Sequence, residues 1–378
     1  MGSDIAKNAA FGKRGGMPPE DAPPPDELWD GLAAAARGDA GKLAALARVA
    51  MGQGRLDTAY ALARDARIAA PDDPAVRALT AEPLAHGVPA WHVPMVQETA
   101  RNLAYAEAIE RAVKPGMRVL DIGAGTGLLA MIAARAGAGQ VFTCEQNPAI
   151  ADAAEDIIAR NGHAGRVRVL RKHSTDIDPE GDLGGPVDLL VSEILASDLL
   201  MEGVLRTIAD AARRLLKPGG IIIPGAGEVR VALACWGGLP GKLIGEALGF
   251  DLSAFNRLVA VPHRLSIGDR MLAVTSAPVS LFAFDFTRSD IYRGGKAQHE
   301  LEATGPANGI VQWIRVQLDP AVVYENAPCH GASSAWFAAF YPLDRPVETG
   351  QTVTVSGKYT RDAVLLWSET FGEDAADA

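Results

Sequence analysis

The segment Val119–Gly127, which reads VLDIGAGTG, limits the possible folds of this chain more than any other. A short apolar run leads into three glycines, Gly123, Gly125 and Gly127. Glycines at such positions let the backbone turn sharply and approach a ligand closely. A buried strand that enters a glycine turn and is followed by a helix is typical of doubly wound nucleotide-binding sheets. The sequence therefore predicts such a sheet.

An alternation of strands and helices runs through the middle of the chain. Short apolar runs, typical of strands covered on both faces, lie at residues 118–122, 141–145, 166–170, 187–192 and 221–224. Helical periodicity is found at residues 94–113, 126–136, 148–161 and 199–216. The prediction is an α/β fold with a doubly wound, Rossmann-like domain over residues 82–226.

Beyond residue 227 the pattern changes to strands separated by turns. The runs are EVRVALACW, VSLFAFDFT, GIVQWIRVQLD, WFAAFYPL, QTVTVSGKYT and AVLLWSE. Six such strands favour a β-barrel or a sandwich, and we assign a β-barrel domain to residues 227–372. A helical insertion is expected around Gly241–Leu258, and an acidic tail follows at residues 373–378.

The N-terminal region is rich in alanine at helical spacing. We expect a flexible lead-in at residues 1–25 and a small all-α region with three helices at residues 26–81. The last two of these helices fit one tetratricopeptide-like unit, with a plain helical hairpin as the alternative. The turn, contact and stop positions of that repeat fall on Gly54, Ala59, Ala66 and Pro71.

The composition restricts the classes of partner. With 36 Lys and Arg against 46 Asp and Glu, the net charge is −10, which opposes attraction to nucleic acid and suits cationic partners. No run approaches the roughly 20 apolar residues of a membrane span. Cys144, Cys235 and Cys329 are odd in number and far apart, so they indicate neither disulfides nor a metal site. We expect a cytoplasmic protein with no direct nucleic-acid or membrane partner.

The glycine spacing indicates which nucleotide cofactor binds. Dinucleotide sites need GxGxxG, but Leu128 stands at the last position, which leaves GxGxG with Asp121 two residues ahead. S-adenosylmethionine has no phosphates, and its ammonium group needs carboxylates or other acceptors. Asp121 suits the ammonium, and Glu145 at the end of the second strand suits the ribose hydroxyls, although a strand-end carboxylate is often only a solvated turn residue. Methyl transfer from S-adenosylmethionine is predicted.

Glu193 and Glu202 follow the fourth predicted strand in SEILASDLLMEG, at the sheet edge where ligands bind. Two converging carboxylates raise each other's pKa unless a cation lies between them, and a guanidinium has a matching planar fork. Two anions would also hold that cation against a sulfonium for in-line attack. Alternatively, Glu193 caps a helix beginning near Asp198, and Glu202 is an exposed acid in its first turn.

The chain resembles the protein arginine methyltransferase family from about Trp91 to Glu369. The matching segments are WHVPMVQETARNLAYAEAI, VLDIGAGTG, KHSTDI, SEILASDLLMEG, GFDLSAFN, FAFDFTR and SAWFAAFYPLDRPVETG. The helical N-terminus and the first segment are most similar to the seventh and ninth human-type subgroups, in a bacterial-type homologue. The resemblance implies a methyltransferase domain followed by a β-barrel, with a helical dimerisation arm at about residues 241–262 and a homodimer.

The resemblance also implies roles for individual residues. Glu193 and Glu202 would clamp the substrate arginine, and Trp336 would wall its channel. The implied cofactor contacts are Arg101 at the carboxylate, Asp121 and Gly123 at the methionyl end, Gly125 in the glycine turn, Glu145 at the ribose, Ser174 and Thr175 beside the adenine, and His92 and Met95 near the cofactor and the transferred methyl group. Taken alone, Arg101 would be read as a surface ion pair and Trp336 as a core aromatic.

Some features depart from the family pattern. The usual Tyr-rich segment is replaced by Glu82–Ala90, and the Thr-His-Trp triplet reads Ser334-Ala335-Trp336. The acidic partner of the missing histidine corresponds to Glu98. Without a His–carboxylate pair, the proton would go to Glu202 or to water, with the loop residue His330 as a further candidate.

The type of product depends on two positions. A small residue such as Ala335 also occurs in the branch that makes symmetric dimethylarginine, whereas the bulky thioether of Met95 would crowd a second methyl group. We therefore expect monomethyl or symmetric products.

The leading hypothesis is N-methylation of arginine in a protein or peptide that the N-terminal helices recruit. A rival enzyme would methylate another nucleophile, such as a lysine, a small guanidine or a peptide natural product. A third possibility is an adaptor that binds the cofactor without turnover.

Overall fold

The computed structural model describes residues 25–259, 261–288 and 293–369, and these belong to two compact units that divide after Gly87. The predicted lead-in, up to residue 24, and the predicted acidic tail lie outside the described residues. Within the described ranges, no helix has both the length and the apolar character needed to cross a membrane.

The part of the N-terminal unit that the structure describes, residues 25–87, has four helices, one more than predicted. They are α1 (Pro25–Ala36), α2 (Ala40–Gly52), α3 (Leu56–Ala69) and α4 (Pro74–Ala85). Fully buried alanines let these helices pack closely: Ala44, Ala47, Ala50, Ala63 and Ala66. The sequence PDDP that ends α3 also begins α4, because Asp73 accepts hydrogen bonds from the N–H groups of Ala75 and Val76. The tetratricopeptide-like assignment stays a prediction.

A five-stranded parallel sheet forms the first part of the second unit, as predicted. Its strands are β1 (Arg118–Ile122), β2 (Gln140–Cys144), β3 (Val167–Leu170), β4 (Val187–Ser192) and β5 (Leu216–Ile223), in the order β3-β2-β1-β4-β5. Its helices are α5 (His92–Gln97), α6 (Thr99–Ala112), α7 (Leu128–Arg135), α8 (Pro148–Arg160) and α9 (Val204–Arg214). The strand order reverses between β1 and β4, so a ligand crevice is expected where these two strands end.

Two helices of this region differ from their predicted bounds. The helix expected at residues 94–113 is interrupted at Glu98, whose ψ of 86° is not helical, and this divides it into α5 and α6. The helix expected at residues 199–216 begins only at Val204, because a tight turn precedes it. Both differences lie beside the predicted site.

Antiparallel strands form the rest of the second unit. They are β6 (Ala226–Trp236), β7 (Glu246–Ala247), β8 (Phe250–Asp251), β9 (His263–Leu265), β10 (Leu272–Val274), β11 (Val279–Asp285), β12 (Gly295–Glu302), β13 (Ala307–Gln317), β14 (Val323–Glu325), β15 (Ala338–Val347), β16 (Thr352–Tyr359) and β17 (Val364–Glu369). The six predicted runs are all strands. β12 was not predicted, because its sequence GKAQHELE is largely polar and only Leu301 is buried.

The prediction of a helical insertion around Gly241–Leu258 was wrong. The segment contains two 3₁₀ turns, Leu239–Lys242 and Ser253–Leu258, on either side of the β7–β8 hairpin. Leu248 and Gly249 connect the two strands with φ values of 54° and 81°. Two successive positive φ values form a tight hairpin turn and cannot continue a helix.

One hydrophobic core joins the parallel sheet to the antiparallel region β6–β17, which we call the β domain. Leu199 and Leu200, which follow β4, are fully buried in it. A methyl group placed on Gly227 of β6 would lie 3.0 Å from Leu199 Cδ1 and from Phe286 Cζ. The loop after β4 is therefore held firmly against the β domain.

Candidate active site

The glycine turn after β1 is closely packed at two of its three glycines. Gly123, Gly125 and Gly127 have φ values of 88°, 51° and 76°, which favour glycine. A methyl group on Gly123 would lie 2.9 Å from Ile194 Cγ2, and one on Gly127 would lie 2.9 Å from Ile158. Around Gly125 there is open space within 4 Å. The turn thus offers a backbone surface that a ligand can approach at Gly125.

Asp121 supplies a buried negative charge beside this turn. Its Oδ2 accepts a hydrogen bond from Thr143 Oγ1 at 2.8 Å, whereas its buried Oδ1 has no partner. The pKa of Asp121 is raised to about 7, because burial and the charge of Glu145 raise it more than the hydrogen bond from Thr143 lowers it. An unpaired buried carboxylate needs a cation or a donor, and the ammonium group of S-adenosylmethionine fits that need.

Glu145 lies close enough to His92 for its charge to act on the imidazole. Glu145 follows β2, and its Oε1 accepts the N–H of Asn147 at 2.9 Å. Both ring nitrogens of His92 are buried without a partner. Burial lowers the pKa of His92, while the charge of Glu145 raises it. The two residues leave donors and acceptors that ribose hydroxyls could use.

Ser174 and Thr175 lie in a 3₁₀ turn, Ser174–Asp176, after β3. Ser174 is buried, and its carbonyl accepts a hydrogen bond from Arg214. Thr175 is exposed, and its hydroxyl lies 2.7 Å from His173 Nδ1. The Thr175 hydroxyl therefore already has a partner within its own turn.

Arg101 of α6 connects α5 to the loop after β4. Its Nη1 lies 3.0 Å from Glu193 Oε2 and 3.1 Å from Met95 Sδ, and its Nη2 donates to Met95 O at 2.6 Å. The residue is only 5% exposed, so the surface ion pair considered for it was wrong. Trp336 is both a core aromatic and a neighbour of Arg101, since its ring centroid lies 5.8 Å from the guanidinium.

The loop between β4 and α9 is a turn and not the start of a helix. Asp198 Oδ1 accepts hydrogen bonds from the N–H groups of Leu200 and Met201, and Leu199 has a φ of 74°. The reading of Glu193 as a cap of a helix near Asp198 was therefore wrong. Glu202 precedes the N-cap of α9, Gly203, and is not an acid of its first turn.

The charge of Glu202 acts on Glu193. The pKa of Glu193 is raised to about 8. Burial and the charges of Glu202 and Glu98 raise it, whereas the charge of Arg101 lowers it. The Oε1 atom of Glu193 is buried without a partner. Glu202 reaches solvent, but the surrounding protein and the charge of Asp198 raise its pKa as well. A further cation, such as a guanidinium, would relieve this repulsion.

Sequence reasoning missed the residues that connect this site to the β domain. Tyr324 of β14 donates a hydrogen bond to Glu98, and the N–H of Ala335 donates to Glu98 Oε2 at 2.8 Å. Tyr105 of α6 donates to Ser192 O at 3.2 Å. Only Glu98 had a signal in the sequence, through its correspondence to the acidic partner of the missing histidine. His330, which the sequence suggested as a further acceptor of the proton, is exposed.

Known proteins share both the sequence and the fold of this chain. A family model described as ribosomal protein L11 methyltransferase (PrmA) matches residues 103–226, the region of the parallel sheet. An arginine N(omega)-methyltransferase from Streptomyces achromogenes subsp. streptozoticus is 40% identical over 278 residues, which cover 71% of this chain and 75% of that protein.

A second relative and a solved structure agree with this result. Protein arginine N-methyltransferase 7 from Oryza sativa subsp. indica is 35% identical over 262 residues, which cover 63% of this chain and 36% of that protein. The chain thus spans only about a third of the rice relative. The Trypanosoma brucei PRMT1 enzyme–prozyme heterotetrameric complex with AdoHcy matches with a TM-score of 0.66 at 22% identity, over 75% of this chain and 94% of that one.

The fold and the crevice define an S-adenosylmethionine-dependent methyltransferase. The chain belongs to the protein arginine methyltransferase family, because it matches the Streptomyces enzyme at 40% identity across three quarters of that protein. The predicted methyltransferase domain followed by a β-barrel, the cofactor and the arginine-methylating class are confirmed.

Proposed function

We propose that this protein transfers a methyl group from S-adenosylmethionine to an ω-nitrogen of arginine in a protein or peptide, giving monomethyl or symmetric dimethyl products. The observation that carries the proposal is the glutamate pair. The side chain of Glu193 is only 10% exposed, has one buried oxygen without a partner, and is subject to the charge of Glu202. Such a pair favours a planar cation with several N–H donors, which is the chemistry of a guanidinium.

In this proposal the glutamates act on the acceptor. Glu193 and Glu202 hold the guanidinium by hydrogen bonds and turn one nitrogen toward the methyl group. The N–CH₃ bond forms as the S–CH₃ bond breaks, and the nitrogen loses one proton. Glu202 takes that proton, since its raised pKa and its contact with solvent suit a base. The positive charges of donor and acceptor are balanced by the two carboxylates.

The remaining predicted residues would hold the cofactor, which supplies an electrophilic methyl group on a sulfonium. Asp121 would bind its ammonium, Arg101 its carboxylate and Glu145 its ribose. Gly123 and Gly125 would let the backbone approach the methionyl end, and Ser174 and Thr175 would lie beside the adenine. His92 and Met95 would cover the cofactor from α5, and Trp336 would wall the arginine channel.

Two features support the proposed product type. Met95 is held by Arg101 through both its sulfur and its carbonyl, so its thioether occupies a fixed position beside the reacting groups. Ala335 has only a methyl side chain and therefore offers little bulk. A fixed thioether disfavours a second methyl group on the same nitrogen, whereas the space at Ala335 leaves the other ω-nitrogen accessible.

Free arginine is a second candidate acceptor. The Streptomyces relative is named for arginine itself and not for protein arginine. The absence of a Tyr-rich segment before α5 also removes one expected wall of a peptide channel. The two acceptors share the guanidinium, so the glutamate pair serves either of them.

We further propose that the protein works as a cytoplasmic homodimer. The β7–β8 hairpin and the 3₁₀ turn after it expose large apolar side chains, with Leu248 98% and Phe250 69% exposed. Phe255 and Leu258 add to this surface, which we call the arm surface. A second copy of the chain is its proposed partner, while the N-terminal helices recruit the substrate.

The test offers methyl-labelled cofactor with three acceptors in parallel: free arginine, an Arg-Gly-rich peptide and a basic protein. Acid hydrolysis and chromatography then identify the methylated amino acid. The proposal expects ω-monomethyl or symmetric dimethylarginine from the peptide or the protein. Label in free arginine alone would favour the second candidate, and label in lysine or in no amino acid would exclude both.

A further inference from the structure

Glu98 stands between α5 and α6 and connects both helices to the β domain. Its N–H donates to Met95 O at 3.3 Å, and its carbonyl accepts the N–H of Asn102 at 3.1 Å. The buried side chain uses both of its oxygens, because Oε2 accepts the N–H of Ala335 and Oε1 accepts the hydroxyl of Tyr324. The angle between α5 and α6 is thus fixed at a carboxylate that the β domain holds.

Tyr324 is the side-chain donor in this arrangement. Its ring packs edge-on against Trp336 with centroids 5.6 Å apart, and Ser334 Oγ lies 3.3 Å from its hydroxyl. Ser334 Oγ also accepts the N–H of Trp336 at 3.1 Å. Burial and the hydrogen bond to Glu98 raise the pKa of Tyr324, so the hydroxyl keeps its proton and can donate.

Ala335 explains why this donor matters in the present chain. In the family pattern a histidine stands at this position of the triplet, and its acidic partner corresponds to Glu98. Ala335 has no polar side chain and gives Glu98 only its backbone N–H. Without Tyr324, one oxygen of a buried carboxylate would have no donor among the described contacts.

We propose that Tyr324 is a positioning residue for the cofactor site, which holds Glu98 in place of the missing histidine and so fixes α5 and Arg101 over the crevice. The inference rests on the proposed function for the role of Arg101 at the cofactor. Arg101 depends on the helix angle, since it contacts Met95 of α5 and Glu193 of the β4 loop together. A carboxylate released at Glu98 would turn toward water and change that angle.

The variant Tyr324→Phe tests this inference, because it removes one hydroxyl and leaves the ring. The full-length protein is titrated with S-adenosylhomocysteine, and methyl transfer is followed in parallel. We expect the Kd for S-adenosylhomocysteine to rise on the order of tenfold, because the variant loses one hydrogen bond to a charged group. The KM for S-adenosylmethionine should rise by a larger factor than kcat falls.

Tyr341→Phe is the matched control. Tyr341 is a partly buried tyrosine of β15 whose hydroxyl donates to Gln312 Oε1 of β13 at 3.0 Å. Its loss should lower the Tm to a similar extent and leave the Kd unchanged. An equal rise of the Kd in both variants would mean that Tyr324 acts only through general stability, and a wild-type Kd in Tyr324→Phe would overturn the inference outright.

Rescue distinguishes positioning from packing. Ala335→His in the Tyr324→Phe background returns a side-chain donor to the triplet, and we expect it to recover most of the lost affinity. If that protein does not fold, Tyr324→His supplies the donor from β14 instead. No recovery in a folded rescue variant contradicts the inference. A wild-type protein that binds S-adenosylhomocysteine but methylates no arginine would instead count against the proposed function.

Discussion

At the scale of the residue, this site is marked by buried carboxylate oxygens that have no hydrogen-bond partner. Asp121 and Glu193 each have one buried oxygen with no partner, and burial raises their pKa values to about 7 and about 8. Such groups reduce stability and are typical of functional sites. Here the missing partners correspond to the ammonium of the cofactor and the guanidinium of the acceptor.

Asp121 predicts how the stability of the unliganded protein depends on pH. Its pKa is raised from 3.8 to about 7 in the folded protein. Its contribution to stability is therefore fully present only below about pH 4, where the side chain is protonated in the folded and in the unfolded state. The stability is therefore lost progressively as the pH rises from about 4 through 7. This rise in the pKa of Asp121 corresponds to about 4 kcal/mol of stability, at about 1.4 kcal/mol for a tenfold change in proton affinity.

The measurement is the free energy of unfolding of Asp121→Asn and of the unliganded wild type at pH 5 and at pH 8. Asn keeps an oxygen for the Thr143 hydroxyl but has no charge. Its advantage over the wild type should be larger at pH 8, while its affinity for S-adenosylhomocysteine falls. An advantage that shrinks as the pH rises would show that the sign is wrong.

Glu202 predicts a separation of binding from turnover. Glu202→Gln keeps the shape but removes the charge and the base, so kcat for arginine methylation should fall on the order of a hundredfold. The Kd for S-adenosylhomocysteine should not change, because no cofactor role is assigned to Glu202. Glu300→Gln, an exposed carboxylate on β12, is the control and should behave as wild type. Unchanged kcat in Glu202→Gln would remove this residue from the mechanism.

Single residues show what the sequence could and could not reveal. The positions of Asp121, Glu193 and Glu202 followed from local motifs, because a strand that ends in a turn brings its next residues to the sheet edge. The contacts of Tyr324 with Glu98 could not be predicted, since they join residues 226 positions apart along the chain. Pairing at such a distance depends on how the β domain packs against α6.

At the scale of the element, apolar pattern predicted strands and helices wherever burial was strong. The five parallel strands and six of the antiparallel ones were predicted, as these segments have clear periodicity, whereas the largely polar β12 was not. The break at Glu98 was missed, because the helical pattern continues through it and only contacts with the β domain stabilise the kink. The sequence predicts a helix in the arm, whereas the positive φ values of Leu248 and Gly249 close a hairpin.

The arm surface predicts the oligomeric state. Replacing Leu248 and Phe250 together with Asp places two charges on the most exposed apolar part of the arm, where a second copy is proposed to bind. The mass from light scattering at micromolar concentration should change from dimer to monomer. Leu365→Asp, at an exposed apolar position of β17, is the matched control and should remain a dimer. A wild-type protein that is already monomeric would contradict the proposed role of the arm.

At the scale of the whole molecule, the chain divides into two units with separate hydrophobic cores. The core of the first unit consists mainly of alanines and Leu43, Leu62 and Val76, and that of the second runs from α6 to β17. The sequence predicts separate methyltransferase and β-barrel domains at residues 82–226 and 227–372, whereas these strands share one core in the second unit. The fourth helix of the first unit was not predicted, because the helix start at Asp73 coincides with the predicted stop of α3.

Separate cores predict that the second unit keeps its chemistry when residues 1–87 are removed, since every residue proposed to bind the cofactor or the acceptor lies after Gly87. The Kd for S-adenosylhomocysteine and kcat with a short Arg-Gly peptide should remain near those of the full chain. The KM for an intact protein acceptor should rise roughly tenfold or more, because the truncated protein loses the second attachment that raises the local substrate concentration. Both proteins are assayed with both acceptors, so that the peptide serves as the control. An unchanged KM for the protein acceptor would rule out recruitment by the N-terminal helices, and loss of turnover with both acceptors would mean that the first unit supports the active site itself.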